Sequence, residues 1–164
     1  ALGVALDVEP DYFANMLRDG NSILRAIHYP PISNESSPGA VRAAAHEDIN
    51  LITCMVGATA SGLELLDRTG EWLPVNCNEK QLVIDSGDML SRITNDVIPS
   101  TTHRVVNPGN HNETRYSMPY FTHPNPNAIL SCIPSCRGKK EKYAPVKAND
   151  WLMQRLRDIG LLKK

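Results

Sequence analysis

Five residues of this chain have the types and spacing to act together: His46, Asp48, His103, Arg115 and Ser117. His46 and Asp48 are separated by one residue, and in extended chain such neighbours project to the same side. An imidazole and a carboxylate so placed can meet at one metal ion. His103 lies in a later strand-like stretch, "TTHRVV", which a rolled-up sheet can bring over the same cavity. Two imidazoles and one carboxylate occupy one face of an octahedral ion and leave positions open, the pattern of non-haem Fe(II) oxygenases. Arg115 and Ser117 repeat the two-residue spacing. A guanidinium is a planar fork matched to a carboxylate, and a buried cation needs a partner. That strand reads as a carboxylate socket beside the candidate metal ligands.

Each fragment also has a plain reading. An isolated H-x-D is commonly a surface or turn pair, and with five histidines in the chain a distal third ligand is easily found. Arg115 and Ser117 equally suit the outward face of an amphipathic strand. A zinc hydrolase built on the same His, Asp and His would need a general base beside its metal-bound water. Glu47 is the nearest carboxylate, but strand alternation turns it away. A non-catalytic, cupin-like jelly-roll module that merely holds a metal is the other alternative.

The elements that must position these residues are short. The 164 residues fit one domain. With 41% hydrophobic and 21% charged residues and a net charge of −1, the chain lacks the basic excess of a nucleic-acid binder and has no apolar run long enough to span a membrane. The start, "ALGVALDVEPDYF", lacks the basic beginning of a secretory signal. Cys54, Cys77, Cys132 and Cys136 fit no zinc motif or disulfide scaffold, so a reducing, cytoplasmic setting is expected, with Cys54 as a small core residue. The sequons at Asn34 and Asn112 carry little weight without a signal.

Two helices are expected near the ends. "DYFANMLRD" places Tyr12, Phe13, Met16 and Leu17 on one stripe and stops at Gly20; "NDWLMQRLRDIGLL" starts from Asn149 or Asp150 as N-cap and stops at Gly160. Between them the pattern is strand and turn. "SILRAIHY" ends at Pro30-Pro31, "INLITCMV" reads as a buried strand, "GLELLDRTGEWLPV" as a hairpin turning at Asp67 to Gly70, and "QLVIDSGD", "HRVVN" and "TRYSMPYF" as further strands. Regularly spaced short strands without alternating helices predict a mainly β fold, a sandwich or a barrel such as a jelly roll.

With these elements in order, the chain resembles the iron- and 2-oxoglutarate-dependent dioxygenases, in their isopenicillin N synthase-like branch. The likeness runs over about Asp11 to Pro126 and rests on "LRAIHYPP", "HEDINLIT", "GLELLDRTGEWLPV", "VIDSGDMLSRITND", "HRV" and "RYSMPYFTHPNP". The resemblance implies a double-stranded β-helix (jelly roll) with flanking N- and C-terminal helices. It implies Fe(II) held by His46, Asp48 and His103. It places 2-oxoglutarate on Arg115 and Ser117, with Tyr29 in contact, and O2 as the oxidant. Plant members carry Asn two residues before that tyrosine, where Ile27 stands here.

His28, His111 and His123 match no ligand position and are expected to be solvated or locally hydrogen-bonded. Met89, Met118 and Phe121 are expected in the core or the pocket wall. The implied reaction oxidises a small-molecule metabolite, most commonly by hydroxylation, with succinate and CO2 as products. An isopenicillin N synthase-type oxidase, which uses no 2-oxoglutarate, is the alternative within the branch. Because the family carries a substantial N-terminal half, residues 1–164 are expected to be the catalytic jelly-roll core without it.

Overall fold

The computed structural model describes residues 1–32, 39–78, 80–107 and 113–163. His111 and the sequon asparagines Asn34 and Asn112 lie outside them. Four α-helices are described, α1 (Leu2–Ala5), α2 (Tyr12–Leu17), α3 (Asp88–Ile93) and α4 (Ala148–Asp158), with a short 3-10 helix at Pro134–Cys136. The strands are β1 (Ile23–Leu24), β2 (Ile27–Tyr29), β3 (Ala43–His46), β4 (Ile52–Val56), β5 (Leu63–Leu66), β6 (Trp72–Pro74), β7 (Leu82–Ser86), β8 (His103–Val105), β9 (Arg115–Ser117), β10 (Pro119–Thr122), β11 (Ile129–Leu130) and β12 (Val146–Lys147).

These strands form the two faces of a jelly roll. One antiparallel sheet runs β1-β10-β4-β7 and the opposing one runs β3-β8-β5-β6, with the pair β2-β9 continuing the roll. Strand alternation sorts the side chains. Thr53, Phe121 and Asp85 lie in one cross-strand row and turn into the barrel. In the adjacent row Leu24, Tyr120 and Ile84 face outward and are exposed, with Cys54 half-buried between them. The expected fully buried strand "INLITCMV" is therefore two-sided, and Cys54 is not a core residue.

The packed core sits beside the barrel rather than in it. Leu6, Leu51, Met89, Leu90, Ile93, Leu130 and Ile133 close around α3, β11 and the start of α4. Arg155 of α4 pairs with Asp88 of α3 at 2.7 Å, which clasps the two helices together. Met89 is in this core, as expected, whereas Met118 is on the surface at 48% exposure.

Several local readings need correction. The N-terminal helix ends at Leu17 because Arg18 turns extended, and Asp19 follows with φ +57°, so Gly20 is not its stop. Gly20 is required for another reason: a Cβ there would meet the His123 carbonyl oxygen at 2.1 Å. Helix α4 begins two or three residues early, after Lys147, and no side chain caps it. Its Gly160 stop has φ +78°, as the left-handed C-terminal position demands. The Asp67–Gly70 turn forms as expected, with Asp67 Oδ1 accepting from the Thr69 and Glu71 amides. Elements without strong patterning, α1, α3, β11 and β12, have no counterpart in the sequence reading.

Candidate metal and cosubstrate site

The stretch around the H-x-D pair is not one strand. His46 closes β3 in one sheet, the chain turns through residues 47–51, and β4 begins in the opposing sheet. Asp48 thus stands in the turn. Its position comes from backbone bonds: the first amides of α3, those of Asp88 and Met89, donate to the carbonyls of Asp48 and Asn50 at 2.8 and 3.0 Å. Gly87 allows this approach, because a Cβ there would lie 2.3 Å from the Asn50 carbonyl oxygen. Glu47 points away, as expected, and accepts from the Thr102 hydroxyl at 3.0 Å.

His46 and His103 pair directly across β3 and β8, with ring centres 4.3 Å apart. Their Nε2 atoms lie 3.8 and 3.9 Å from Asp48 Oδ1. Among the described residues these three form the cluster able to hold a metal, with one donor atom each and all donors within 4.8 Å of one another. Nδ1 of His46 sits 2.7 Å from the Ala44 carbonyl, and Nδ1 of His103 sits 3.1 Å from that of Thr101. A neutral imidazole that donates from Nδ1 keeps its lone pair on Nε2, so both rings offer that pair toward Asp48. Behind Asp48, Thr53 donates to Oδ2 and in turn accepts from Asn50 at 2.9 Å.

Two further contacts escaped the sequence reading. Thr53 is one. The other is Asp85 of β7, 3.2 Å from His103 Nδ1. Burial raises the Asp85 carboxyl above its ordinary pKa, against an opposing pull from His103. The signal for both was alternation: each is a polar residue on the inner face of a strand.

Arg115 and Ser117 are buried on the inner face of β9, and Tyr116 between them is exposed. Tyr29 pairs with Arg115 across β2 and β9, and the guanidinium carbon lies 5.0 Å from its ring centre, a cation–π contact. Arg115 is 1% exposed. Its Nε donates to the Ala60 carbonyl at 3.1 Å, but Nη1 has no partner and no carboxylate pairs with it among the described residues. Burial lowers its pKa from the ordinary value, though a guanidinium stays charged. Among the described residues the Ser117 hydroxyl meets only the Met55 sulfur, at 3.1 Å, a weak acceptor.

All six sequence-derived site residues line one cavity of about 320 Å³, with Phe121 in its wall as expected. His28 is exposed and stacks on Tyr116. His123 differs from expectation: it is 8% exposed, its Nδ1 has no partner among the described residues, and burial lowers its pKa.

Residues 20–124 match the family model of the 2OG-Fe(II) oxygenase superfamily. The chain belongs to that superfamily. It is 33% identical over 153 residues to the 2-oxoglutarate-Fe(II) type oxidoreductase hxnY of Emericella nidulans, an alignment that covers 91% of this chain and 43% of that protein. A crystal structure of a 2OG-Fe(II) oxygenase family protein from Caulobacter crescentus superposes with a TM-score of 0.88 at 44% identity, covering 96% of this chain and 52% of that one. A Neurospora crassa protein solved with α-ketoglutarate and thymine superposes with a TM-score of 0.88 at 32% identity, covering 96% and 50%. The chain spans about half the length of the curated relatives it matches. These neighbours agree with the jelly-roll architecture.

The donor set fits the cofactors of this superfamily. Two Nε2 lone pairs and a carboxylate suit a divalent iron. The unpaired Arg115 Nη1 and the weakly engaged Ser117 hydroxyl suit a dicarboxylate whose far end reaches them.

Proposed function

We propose that this chain is the jelly-roll core of an oxygenase that uses Fe(II), 2-oxoglutarate and O2 to oxidise a small molecule, most commonly by hydroxylation, releasing succinate and CO2. His46, Asp48 and His103 would hold the iron, and Arg115 with Ser117 and Tyr29 the 2-oxoglutarate. The observation that carries this reading is Arg115: a buried cation without a carboxylate, in the same cavity as a metal-competent triad. An isolated buried charge is costly unless a partner compensates it, and a dianionic cosubstrate supplies that partner.

Bound iron and 2-oxoglutarate together supply an oxidative decarboxylation that turns O2 into an oxidant of C–H bonds. The chain's own part is orientation. The Arg115 fork anchors the far carboxylate in a charge-assisted contact, which decides which end of the cosubstrate faces the triad. The imidazoles keep Nδ1 protonated against backbone carbonyls, so Nε2 is the nitrogen that faces the ion. Apolar walls from Leu63, Leu65, Val83 and Val105 limit water around the reacting centre.

The small-molecule substrate is supported by cavity size and by the thymine-bound Neurospora crassa neighbour. No described helix is long and apolar enough to cross a membrane. A cytoplasmic setting is proposed on four unpaired cysteines, two of them buried.

Anaerobic Fe(II) and 2-oxoglutarate should give the weak visible charge-transfer band of the chelate, and admitting O2 should then release succinate. Absence of the band, or a band unchanged in Arg115→Ala, would defeat the reading. O2 consumption without succinate points to the isopenicillin N synthase type, and a band without turnover to a binding module.

A further inference from the structure

His103 differs from its partner ligand in what stands behind it. His46 Nδ1 faces a single neutral carbonyl. His103 Nδ1 faces the Thr101 carbonyl at 3.1 Å and, at 3.2 Å, the Asp85 carboxylate. The two nitrogens of an imidazole lie on opposite edges of the ring, and it is Nε2 that faces Asp48. Asp85 is therefore behind the ring, not among the donors that converge on the ion, and it is absent from the three-residue cluster able to share a metal.

Its placement is built into the sheet. Asp85 of β7 pairs in register with Thr53 of β4, and Thr53 is the residue that donates to Asp48. One cross-strand pair thus backs two ligands, a hydroxyl behind the carboxylate and a carboxylate behind the imidazole. Both side chains line the cavity from the same row. The Asp85 side chain is 16% exposed, so its charge acts on the ring with little solvent screening.

We propose that Asp85 is a positioning residue for His103: it holds the ring in the Nδ1–H tautomer and in the orientation that aims Nε2 at the metal position. The ring N–H bonds to the Thr101 carbonyl, and the Asp85 carboxylate, 3.2 Å from the same nitrogen, adds a negative charge that favours the proton on that side of the ring and leaves the lone pair on the opposite nitrogen. The ligand set then contains two members backed by side chains, Asp48 and His103, and one, His46, backed only by its own strand. This inference rests on the metal-site reading above.

The test separates the two. In metal-free protein with ¹⁵N-labelled histidine, the His103 ring should show the proton on Nδ1, far downfield, with the resonance assigned through His103→Gln. Asp85→Asn, which keeps the shape and removes the charge, should move that proton upfield. It should also weaken Co(II) binding, followed by titration calorimetry, by about 10-fold or more, with an unchanged melting temperature. A proton on Nε2 in the unsubstituted protein overturns the proposal without any variant. So does Co(II) affinity in Asp85→Asn within about twofold of the original. Failure of the unsubstituted protein to bind Co(II) at all would instead defeat the metal-site reading, while the metal-free spectrum would still decide the role of Asp85.

Discussion

The molecule has a solid end and a hollow end, and they use apolar residues differently. Around α3, residues such as Ile93, Met89 and Leu90 are 0–2% exposed and pack on one another. Inside the roll, Leu63, Leu65 and Val83 are only half-buried and face a cavity. The fully buried large side chain of the hollow end is Arg115, a cation. The solid end gains stability from close packing, whereas the hollow end keeps space and an uncompensated charge for a ligand.

The sharpest contrast is expected at the site itself. Asp48→Ala should reduce Co(II) or Fe(II) affinity by on the order of 100-fold or more, since even residues behind the ligands account for about 10–100-fold. Calorimetric titration of the metal checks this, and retained affinity would break the triad. Arg115→Met comes next. It should weaken 2-oxoglutarate by roughly 10–100-fold, from the loss of a charged hydrogen-bond donor. The melting temperature of the ligand-free chain should rise or hold, because a buried charge without a partner is removed; a clear fall would mean that Arg115 is structural.

Truncations compare the two ends directly. Ile93→Ala should cost about 2–5 kcal/mol in a denaturant titration. Leu65→Ala in the cavity wall should cost less than about 1.5 kcal/mol, because its neighbours already leave it a free side. Equal losses would show that the roll is as tightly filled as the helical end. The smallest effect is a pH dependence. Burial lowers the His123 pKa, so the unfolded chain takes up a proton first as pH falls. Stability should therefore be complete above about pH 6.5 and decline below it, until the folded pKa is passed. His123→Gln should flatten that slope in thermal melts taken from pH 7 to 5.

The hollow end was more legible in the sequence than the solid end. Ligand spacing, the Arg115–Ser117 alternation and the Asp67–Gly70 turn are local codes, written in residues one or two apart. His46 and Asp48 were correctly paired, yet through the wrong geometry. A turn between two sheets, tied down by the amides of α3, does what a single strand was expected to do. Asp85 and Thr53 depend on cross-strand register, which no single segment encodes. The solid core was missed for a related reason. Leu6, Leu51, Ile93 and Leu130 come from four separate places in the chain, and α3 is a six-residue helix whose amphipathic period is too short to read. His123 and Met118 were misplaced because neither short motif says which side of β10 will be covered.

The uneven backing of the ligands bears on the speed of metal exchange as well as its strength. The His46 side chain is 47% exposed, whereas those of Asp48 and His103 are 8% and 16% exposed. An ion held this way would be released in sequence, first from the imidazole that can swing into water. A small chelator arriving from that side could capture the half-freed ion before the ring returns. The lifetime of the loaded site would then depend on chelator concentration, and a bulky residue packed beside His46 should lengthen it while leaving the equilibrium affinity nearly unchanged.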